Sequence, residues 1–412
     1  MRQVTDIIKQ VGSGYKTGVY ETYVSKITET ILAFYNPDTK SFDSINQIKD
    51  DNSYDNSYYS DNHLNIEQGF AGILHYFSHY QAKHPLDTRI SEITAQICNR
   101  IQAVGDGNNF RNKHSLFTGL AGTGHTLWKN GFICGDSRMV YKGENIVKNA
   151  LTNLSDISDH SLYSGLAGSV FILADLYEKT GKAYFREQLL KAGNLLADAM
   201  EQEIHTTVNL HPHGNIYSGI SAALYRLDTI IPSSRIRTLA KQMYIMDEEF
   251  FNPLDTISPT EAQGKNGNQL KVLTQLALSR LINYSTTENS KIHQTTILSM
   301  ENLVQESNKI LESSQQADIS VKSGLSGTGI ILILGSELTG RQKYYDHALR
   351  IADYIMEMNP FEPGRGTIKG MYYSNTRKEQ SYMDPSLMTG LSGLGCFYHT
   401  LIYRDIDMAF LF

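Results

Sequence analysis

A short glycine pattern that recurs seven times along the chain constrains the fold more than any other feature. Each copy places Gly-x-x-Gly, or Gly-x-x-Ala in one case, directly ahead of an apolar segment of helical length. The first glycines lie 45 to 66 residues apart, which leaves room for two helices and their loops in each unit. These glycines are Gly69, Gly119, Gly165, Gly219, Gly264, Gly324 and Gly390. We therefore expect a single domain over residues 1–412, built from helix pairs.

The segments between the glycine motifs have a different character from the segments that follow the motifs. They are amphipathic with a helical period, as the apolar stripe of residues 189–200 opposite charged side chains shows. The motif helices are apolar nearly all round, which is typical of buried helices. The predicted amphipathic helices are residues 89–104, 184–203, 234–246, 292–312 and 344–358. Two layers of helices follow, and the period alone allows either an open solenoid or a closed double ring.

Composition excludes several classes of function. The 412 residues include 37 basic and 43 acidic side chains, a net charge of −6 that gives no reason to expect nucleic acid as a partner. The longest apolar run, residues 330–334, is far shorter than the roughly 20 residues that cross a bilayer. The first ten residues lack the apolar stretch of a secretion signal. We expect a cytoplasmic protein without a transmembrane segment.

The three cysteines and one polar stretch complete the survey of the chain. Cys98, Cys134 and Cys396 lie far apart, which excludes a disulfide scaffold and favours small buried side chains. Residues 40–62 are polar, rich in tyrosine and without period, and we interpret them as a long loop at the rim. The motif glycines are interpreted mainly as packing positions at the starts of helices.

Three segments carry a resemblance to a known family. The sequences SLYSGLAG at residues 161–168, DPSLMTGLSGLG at 384–395 and the glycine framework of EAQGKNG at 261–267 resemble the motifs of LanC-like lanthionine cyclases. The resemblance covers almost the whole chain, because all seven glycine motifs occur in order. It implies an all-α fold, an α/α toroid with seven inner and seven outer helices. It thereby favours the closed double ring.

The resemblance also implies a reaction and a metal. LanC-like cyclases add a cysteine thiol of a precursor peptide to a dehydrated serine or threonine, and the typical enzyme holds zinc with two Cys and one His to deprotonate the thiol. At the matching positions this sequence has Ala262 and Lys322 for the two Cys and Ser323 for the His. We therefore expect no bound zinc and no other cofactor.

The other family positions in the cavity differ as well. The Asp that precedes the third repeat falls on Ser161, with Asp159 two residues upstream. The His of the fourth repeat has two alternative registers. Matching through Gly219 places Ser218 there, whereas matching the local text places His213 there, with His211 close by.

Three functional hypotheses follow. In the first, the toroid cyclises peptides without zinc: His213 or His211 acts as base, Lys322 supplies positive charge, and Glu261, Lys265, Ser323, Ser218 and Asp159 bind the substrate. In the second, the protein is a pseudoenzyme that binds the precursor peptide or organises a dehydratase and an exporter. The third is carbohydrate chemistry, which requires facing carboxylates. Asp255, Glu261 and Asp384 lie near the predicted mouths of inner helices, but their spacing indicates no pair.

Overall fold

A computed structural model describes residues 2–42, 64–67, 69–103, 112–206, 216–255, 266–286, 290–313, 317–322, 324–358 and 385–404. In these residues the regular structure is helical except for one hairpin. Its strands, β1 (Tyr35–Asn36) and β2 (Ser41–Phe42), pair antiparallel with Tyr35 opposite Phe42. The hairpin takes up the start of the predicted rim loop, and residues 43–62 of that loop lie outside the described residues.

Fourteen α-helices in the described ranges form two alternating sets. The odd-numbered helices are α1 (Arg2–Ala33), α3 (Thr88–Ala103), α5 (Ser137–Ala150), α7 (Ala183–Thr206), α9 (Ser234–Asp255), α11 (Ser290–Glu312) and α13 (Gln342–Glu357). The even-numbered helices are α2 (Phe70–Lys83), α4 (Leu120–Cys134), α6 (Leu166–Thr180), α8 (Ile216–Ile230), α10 (Asn266–Thr286), α12 (Leu325–Thr339) and α14 (Leu391–Tyr403). One 3₁₀ turn, Leu154–Asp156, precedes α6.

The even-numbered helices form a closed inner ring. Each packs against the next even-numbered helix, and α14 returns to pack against α2. Each odd-numbered helix from α3 to α13 packs on the inner helix that precedes it, while α1 packs on α14. The structure thus decides for the closed double ring over the open solenoid, and it confirms the α/α toroid.

Burial separates the two rings as the sequence predicts. In α12 every residue from Leu325 to Ser336 is buried, so this stretch of the inner helix has no solvent face. In α13 the buried residues recur with the helical period, from Tyr344 to Ile355, and charged residues cover the opposite side. None of the helices in the described residues is long and apolar enough to cross a membrane.

Two outer helices, α1 and α5, are absent from the sequence prediction. Gly143 interrupts the pattern of α5, and a glycine inside a helix weakens the helical signal. In the structure a Cβ atom at Gly143 would lie 2.5 Å from the backbone nitrogen of Trp128 and 2.6 Å from the carbonyl oxygen of Gly124. The glycine is therefore required for the close approach of α5 to α4.

The glycine motif has a packing role at both of its positions. In five repeats the first glycine is the N-cap of the inner helix and has an extended backbone. The second glycine faces a carbonyl oxygen of the loop that leads into the helix. A Cβ atom at Gly122 would overlap the carbonyl oxygen of Leu116, and one at Gly327 would overlap that of Val321. The fourth repeat differs, because α8 begins at Ile216 and contains Gly219.

The cysteines divide into two environments. Cys98 is buried in α3, where burial raises the pKa of its thiol to about 12, and Cys396 is half-buried in α14. Cys134 is exposed, so the expectation that all three are buried is wrong for this residue. Cys134 is the final residue of α4, next to the left-handed Gly135 that ends the helix.

Candidate functional site

The loops that lead into the inner helices are built from a repeated turn. In repeats one, two, three, six and seven, a Ser or Asn four residues before the first glycine is followed by an apolar residue and, in all of these but the first, the turn ends with Ser or Thr. The Oγ atom of Ser115 lies 2.9 Å from Thr118 Oγ1, and the Oγ atom of Ser386 lies 3.0 Å from Thr389 Oγ1. Such hydroxyl contacts are typical of tight turns. They fix the direction of the residue two positions before the glycine.

Those residues are joined by main-chain hydrogen bonds into a belt around the mouth of the ring. The N–H of Phe117 donates to the Tyr163 carbonyl at 3.3 Å, and the N–H of Glu67 donates to the Phe117 carbonyl at 3.2 Å. The N–H of Met388 donates to Glu67 at 3.1 Å, and that of Lys322 donates to Met388 at 2.9 Å. We call these five residues the crown. They connect repeats three, two, one, seven and six in order.

Three crown side chains contact one another. The ammonium of Lys322 forms an ion pair with Oε1 of Glu67, and the Tyr163 hydroxyl donates a hydrogen bond to Oε2 of the same carboxylate. Lys322 Nζ also lies 5.8 Å from the centre of the Tyr163 ring. The three residues come from repeats six, one and three, which are not neighbours in the ring. Each contact with Glu67 therefore passes one intervening repeat, seven or two, and we call these three residues the central cluster.

The central cluster lies between a buried floor and an open side. The Glu67 side chain is 11% exposed and the Lys322 side chain is 33% exposed. Phe117 is fully buried and stacks on the Tyr163 ring, with 5.0 Å between ring centres and 11° between planes. A carboxylate this buried is stable only when it is paired, and it has a cation and a hydroxyl as partners. Lys322 is the more exposed partner of this ion pair.

Comparison with known protein families identifies the family of this chain. The family described as Lanthionine synthetase C-like protein matches residues 200–411, which is more than half of the sequence. The chain belongs to the LanC-like family. No curated protein sequence matches it.

Solved structures with a similar arrangement are distant from this LanC-like protein. Nisin cyclase is 16% identical, with a TM-score of 0.47 and coverage of 76% of this chain and 96% of that one. The Lin0763 protein from Listeria innocua is 11% identical, with a TM-score of 0.47 and coverage of 93% and 97%. Cellobiose 2-epimerase from Spirochaeta thermophila is 14% identical, with a TM-score of 0.41 and coverage of 75% and 97%. We base the family assignment on the sequence match alone.

The residues of this LanC-like protein do not fit the zinc that its family implies. Lys322, at one of the cysteine positions, carries an ammonium, which has three donors and no lone pair for a metal. That ammonium is engaged in an ion pair with Glu67. In the described ranges no three His, Cys, Asp or Glu side chains lie close enough together to hold a metal ion. We therefore derive no step through zinc.

Asp159 lies in the turn that leads into α6. Its carboxylate accepts hydrogen bonds from the Ser161 N–H at 2.7 Å and from the Ser164 hydroxyl. Burial alone would raise the pKa of this carboxyl, but the hydrogen bonds from both serines outweigh burial and hold the pKa below its usual range. Asp318 takes the same place in repeat six, accepting from the Ser320 N–H at 2.8 Å. These contacts stabilise the turn, and the predicted substrate contact of Asp159 stays a prediction.

The structure does not describe the side chains of the other predicted site residues. His211, His213, Glu261, Ala262, Lys265 and Ser323 lie outside the described residues, and Ser218 is placed only by its backbone, in the first turn of α8. Sequence reasoning missed Glu67 and Tyr163. Both lie two positions before a first glycine, as Lys322 does. Applying that register to all seven repeats, rather than only to the zinc positions, would have identified them.

A second polar network connects three inner helices further along their length. Asp175 of α6 lies 3.2 Å from Nε2 of His125 and 3.2 Å from Nζ of Lys129, both on α4. Its other oxygen lies 3.3 Å from Nη2 of Arg226 on α8, which also pairs with Glu178. One carboxylate thus joins α4, α6 and α8. Because its charges balance internally, we assign the network to the stability of the ring.

Proposed function

We propose that this protein binds a dehydrated, cysteine-containing precursor peptide at the mouth of the toroid and closes a thioether ring without zinc. The observation that carries the proposal is the placement of Lys322. It occupies a position at which the family's cyclases have a cysteine ligand, and its side chain, which is one third exposed, brings an ammonium into the central cluster. The protein thereby has a fixed positive charge where the family's metal supplies one.

Lys322 acts on the substrate thiol through its charge. A free thiol has a pKa of about 8.5, and a neighbouring cation lowers it by favouring the thiolate. The ammonium has three donors, and Glu67 accepts from one of them, so another is available to a substrate sulfur. Glu67 offsets much of the positive charge, so the acidification is weaker than that by a metal. We expect slow cyclisation that accelerates as the pH rises toward the pKa of the thiol.

The alternative is that the protein binds the peptide without catalysis, as a scaffold that also contacts a dehydratase and an exporter. The observation in its favour is again the ion pair. Lys322 and Glu67 satisfy each other without a substrate, and a neutral, paired cluster needs no reacting partner. In this case the mouth recognises the peptide, and the ammonium of Lys322 contacts an acidic side chain of the peptide.

The test compares Lys322→Ala and Lys322→Glu with Lys322→Arg, which keeps the charge. Each protein is incubated with a dehydrated, cysteine-containing peptide between pH 6 and 9, and free thiol loss and peptide mass identify the thioether. One unit of thiol pKa changes the thiolate fraction about tenfold, so we expect about a tenfold slower reaction in Lys322→Ala below pH 8 and near wild-type rates in Lys322→Arg. Elemental analysis of the same samples reports bound zinc.

Four results are decisive, and the first two separate the two proposals. A slower reaction with unchanged peptide affinity in Lys322→Ala supports catalysis. Tight peptide binding by the wild type without any thioether formation supports the scaffold. Equal rates and equal affinities in wild type, Lys322→Ala and Lys322→Glu would remove Lys322 from the site. About one tightly bound zinc per chain would contradict the zinc-independent reaction.

A further inference from the structure

We infer that Glu67 and Tyr163 form the proton-transfer pair of this site, with Glu67 as the base for the substrate thiol and Tyr163 as the acid for the new α-carbon. The inference rests on the proposed thioether cyclisation and assigns its two proton steps. Neither residue follows from the family's zinc motif. Both are identified by their contacts within the central cluster, where Glu67 is paired with Lys322 and accepts a hydrogen bond from Tyr163.

The geometry gives Glu67 the role of base. Its two carboxylate oxygens are shared between Lys322 and Tyr163, so one carboxylate contacts both the cation that would hold a thiolate and the hydroxyl that can supply a proton. A thiol that approaches the exposed side of the Lys322 ammonium comes next to Oε1 of Glu67. Lys322 itself cannot take the proton, because an ammonium has no acceptor.

The geometry gives Tyr163 the role of acid. Its ring is fixed on one face by the fully buried Phe117, and Lys322 Nζ lies 5.8 Å from its centre. The cation stabilises a tyrosinate for the moment that the proton is away. A hydroxyl held by a rigid ring delivers its proton to one face of a planar carbon. Tyr163 would therefore set the configuration of the product.

The steps balance without a cofactor. The thiol proton moves to the Glu67 carboxylate while the sulfur lone pair forms a bond to Cβ of the dehydroalanine. The electron pair of the Cα=Cβ double bond moves toward the peptide carbonyl and gives an enolate. The Tyr163 hydroxyl gives its proton to Cα, and the resulting tyrosinate takes the proton that Glu67 received. The carboxylate and the hydroxyl are restored, and the net change is one S–C and one C–H bond for one S–H and one π bond.

The experiment follows both the rate and the configuration of the product. Wild type, Tyr163→Phe and Glu67→Gln are incubated in D₂O with a peptide that contains one dehydroalanine and one cysteine. The product is hydrolysed, and chiral chromatography with mass spectrometry gives the two diastereomers of lanthionine and their deuterium content. Tyr141→Phe and Glu187→Gln are matched controls, because both side chains are exposed on outer helices.

We expect wild type and both controls to give one diastereomer with one deuterium at Cα. Tyr163→Phe should give a mixture close to equal amounts, because solvent protonates either face, at a rate about 100-fold lower. Glu67→Gln should lose about 100-fold in rate at pH 7 and recover as the pH rises, because hydroxide then replaces the missing base. A purely structural role of Glu67 would lower the rate equally at every pH.

Several outcomes would overturn the inference. A single diastereomer from Tyr163→Phe, or a Glu67→Gln rate within twofold of wild type, would do so while leaving the proposed cyclisation intact. Absence of thioether from the wild type would remove the proposed cyclisation and this inference together. If Glu67→Gln does not fold, as judged by its thermal unfolding, the product configuration from Tyr163→Phe decides, since that variant keeps the ring and the carboxylate.

Discussion

Replacing Gly122 by alanine is expected to lower the free energy of unfolding by at least about 3 kcal/mol, because the added methyl group overlaps a backbone atom that has no alternative position. The Cβ atom would overlap the carbonyl oxygen of Leu116 and approach the side chain of Ile66 at 3.1 Å. Both neighbours belong to the loops of the crown, so relief would require the crown to open. The measurement is equilibrium unfolding in urea, followed by helical circular dichroism.

The sign of the stability change distinguishes a glycine in close contact with a loop from an ordinary exposed glycine in a helix. Alanine normally stabilises an exposed helix relative to glycine by roughly 0.5–1 kcal/mol. Gly18→Ala in α1 is the matched control, because Gly18 is exposed and no atom lies within 4 Å of its added Cβ. We expect a small stabilisation there. A Gly122→Ala variant as stable as the wild type would show that the loop does not lie against α4 as described.

Replacing Asp175 by asparagine is expected to cost about 3 kcal/mol at neutral pH, as is typical when one partner of a buried ion pair is removed. The carboxylate contacts His125, Lys129 and Arg226 and is 20% exposed. Asparagine keeps the size of the side chain but leaves Lys129 without a counter-charge at this position. The free energy of unfolding from urea titrations measures the difference between variant and wild type.

The stability difference between wild type and Asp175→Asn is expected to depend on pH. Burial alone would raise the pKa of Asp175, but the hydrogen bond from His125 and the charges of Lys129 and Arg226 outweigh burial and hold the pKa well below its usual range. A carboxyl with a lowered pKa in the folded state stabilises the protein above its unfolded pKa of about 3.9 and loses that stabilisation as the pH falls toward the folded value. The difference between wild type and Asp175→Asn should therefore be constant above about pH 5 and shrink below pH 4.

The control for Asp175 is an ion pair on the surface. Asp198 pairs with Arg235 between α7 and α9, and both side chains are about half exposed. Solvent screens such a pair, so Asp198→Asn should cost less than about 1 kcal/mol. Equal losses in Asp175→Asn and Asp198→Asn would contradict the structural role assigned to the inner network.

Much of the fold could be predicted from the sequence, and the reason is local. All seven inner helices could be predicted from the glycine motif. The motif is a local signal, because Gly122 and Gly327 pack against loops only a few residues away in the sequence. The helix α5 could not be predicted, because Gly143 weakens the local helical signal. Its role, the close packing of α5 against Gly124 of α4, is visible only in the fold. Ring closure came from the family resemblance, and the period alone did not decide it. The interpretation of residues 1–412 as one domain stays a prediction.

The site was harder to predict because its contacts are distant in the sequence. Lys322 was identified by its register with Gly324, but its partner Glu67 lies 255 residues away. Nothing in the sequence IEQG indicates that its glutamate pairs with a lysine from repeat six. The seven loops are equivalent in register, so the side chains at one position become neighbours only once the ring is closed. The repeat pattern identifies these positions in the sequence, but which of their side chains touch depends on the closed fold.

The pairing of α1 with α14 has a consequence for the order in which the molecule is made. The Tyr20 hydroxyl on α1 donates to Asp353 on α13 at 2.7 Å, across 333 residues of chain. Of the described helices, α1 is synthesised first and α14 last. The contact between α1 and α14 therefore cannot form until most of the sequence has been synthesised. Contacts of such long range slow folding, because the chain entropy is lost before the contact forms. The ring is thus completed only after α14 has been synthesised, and the crown hydrogen bonds that involve Met388 of repeat seven form in that final step.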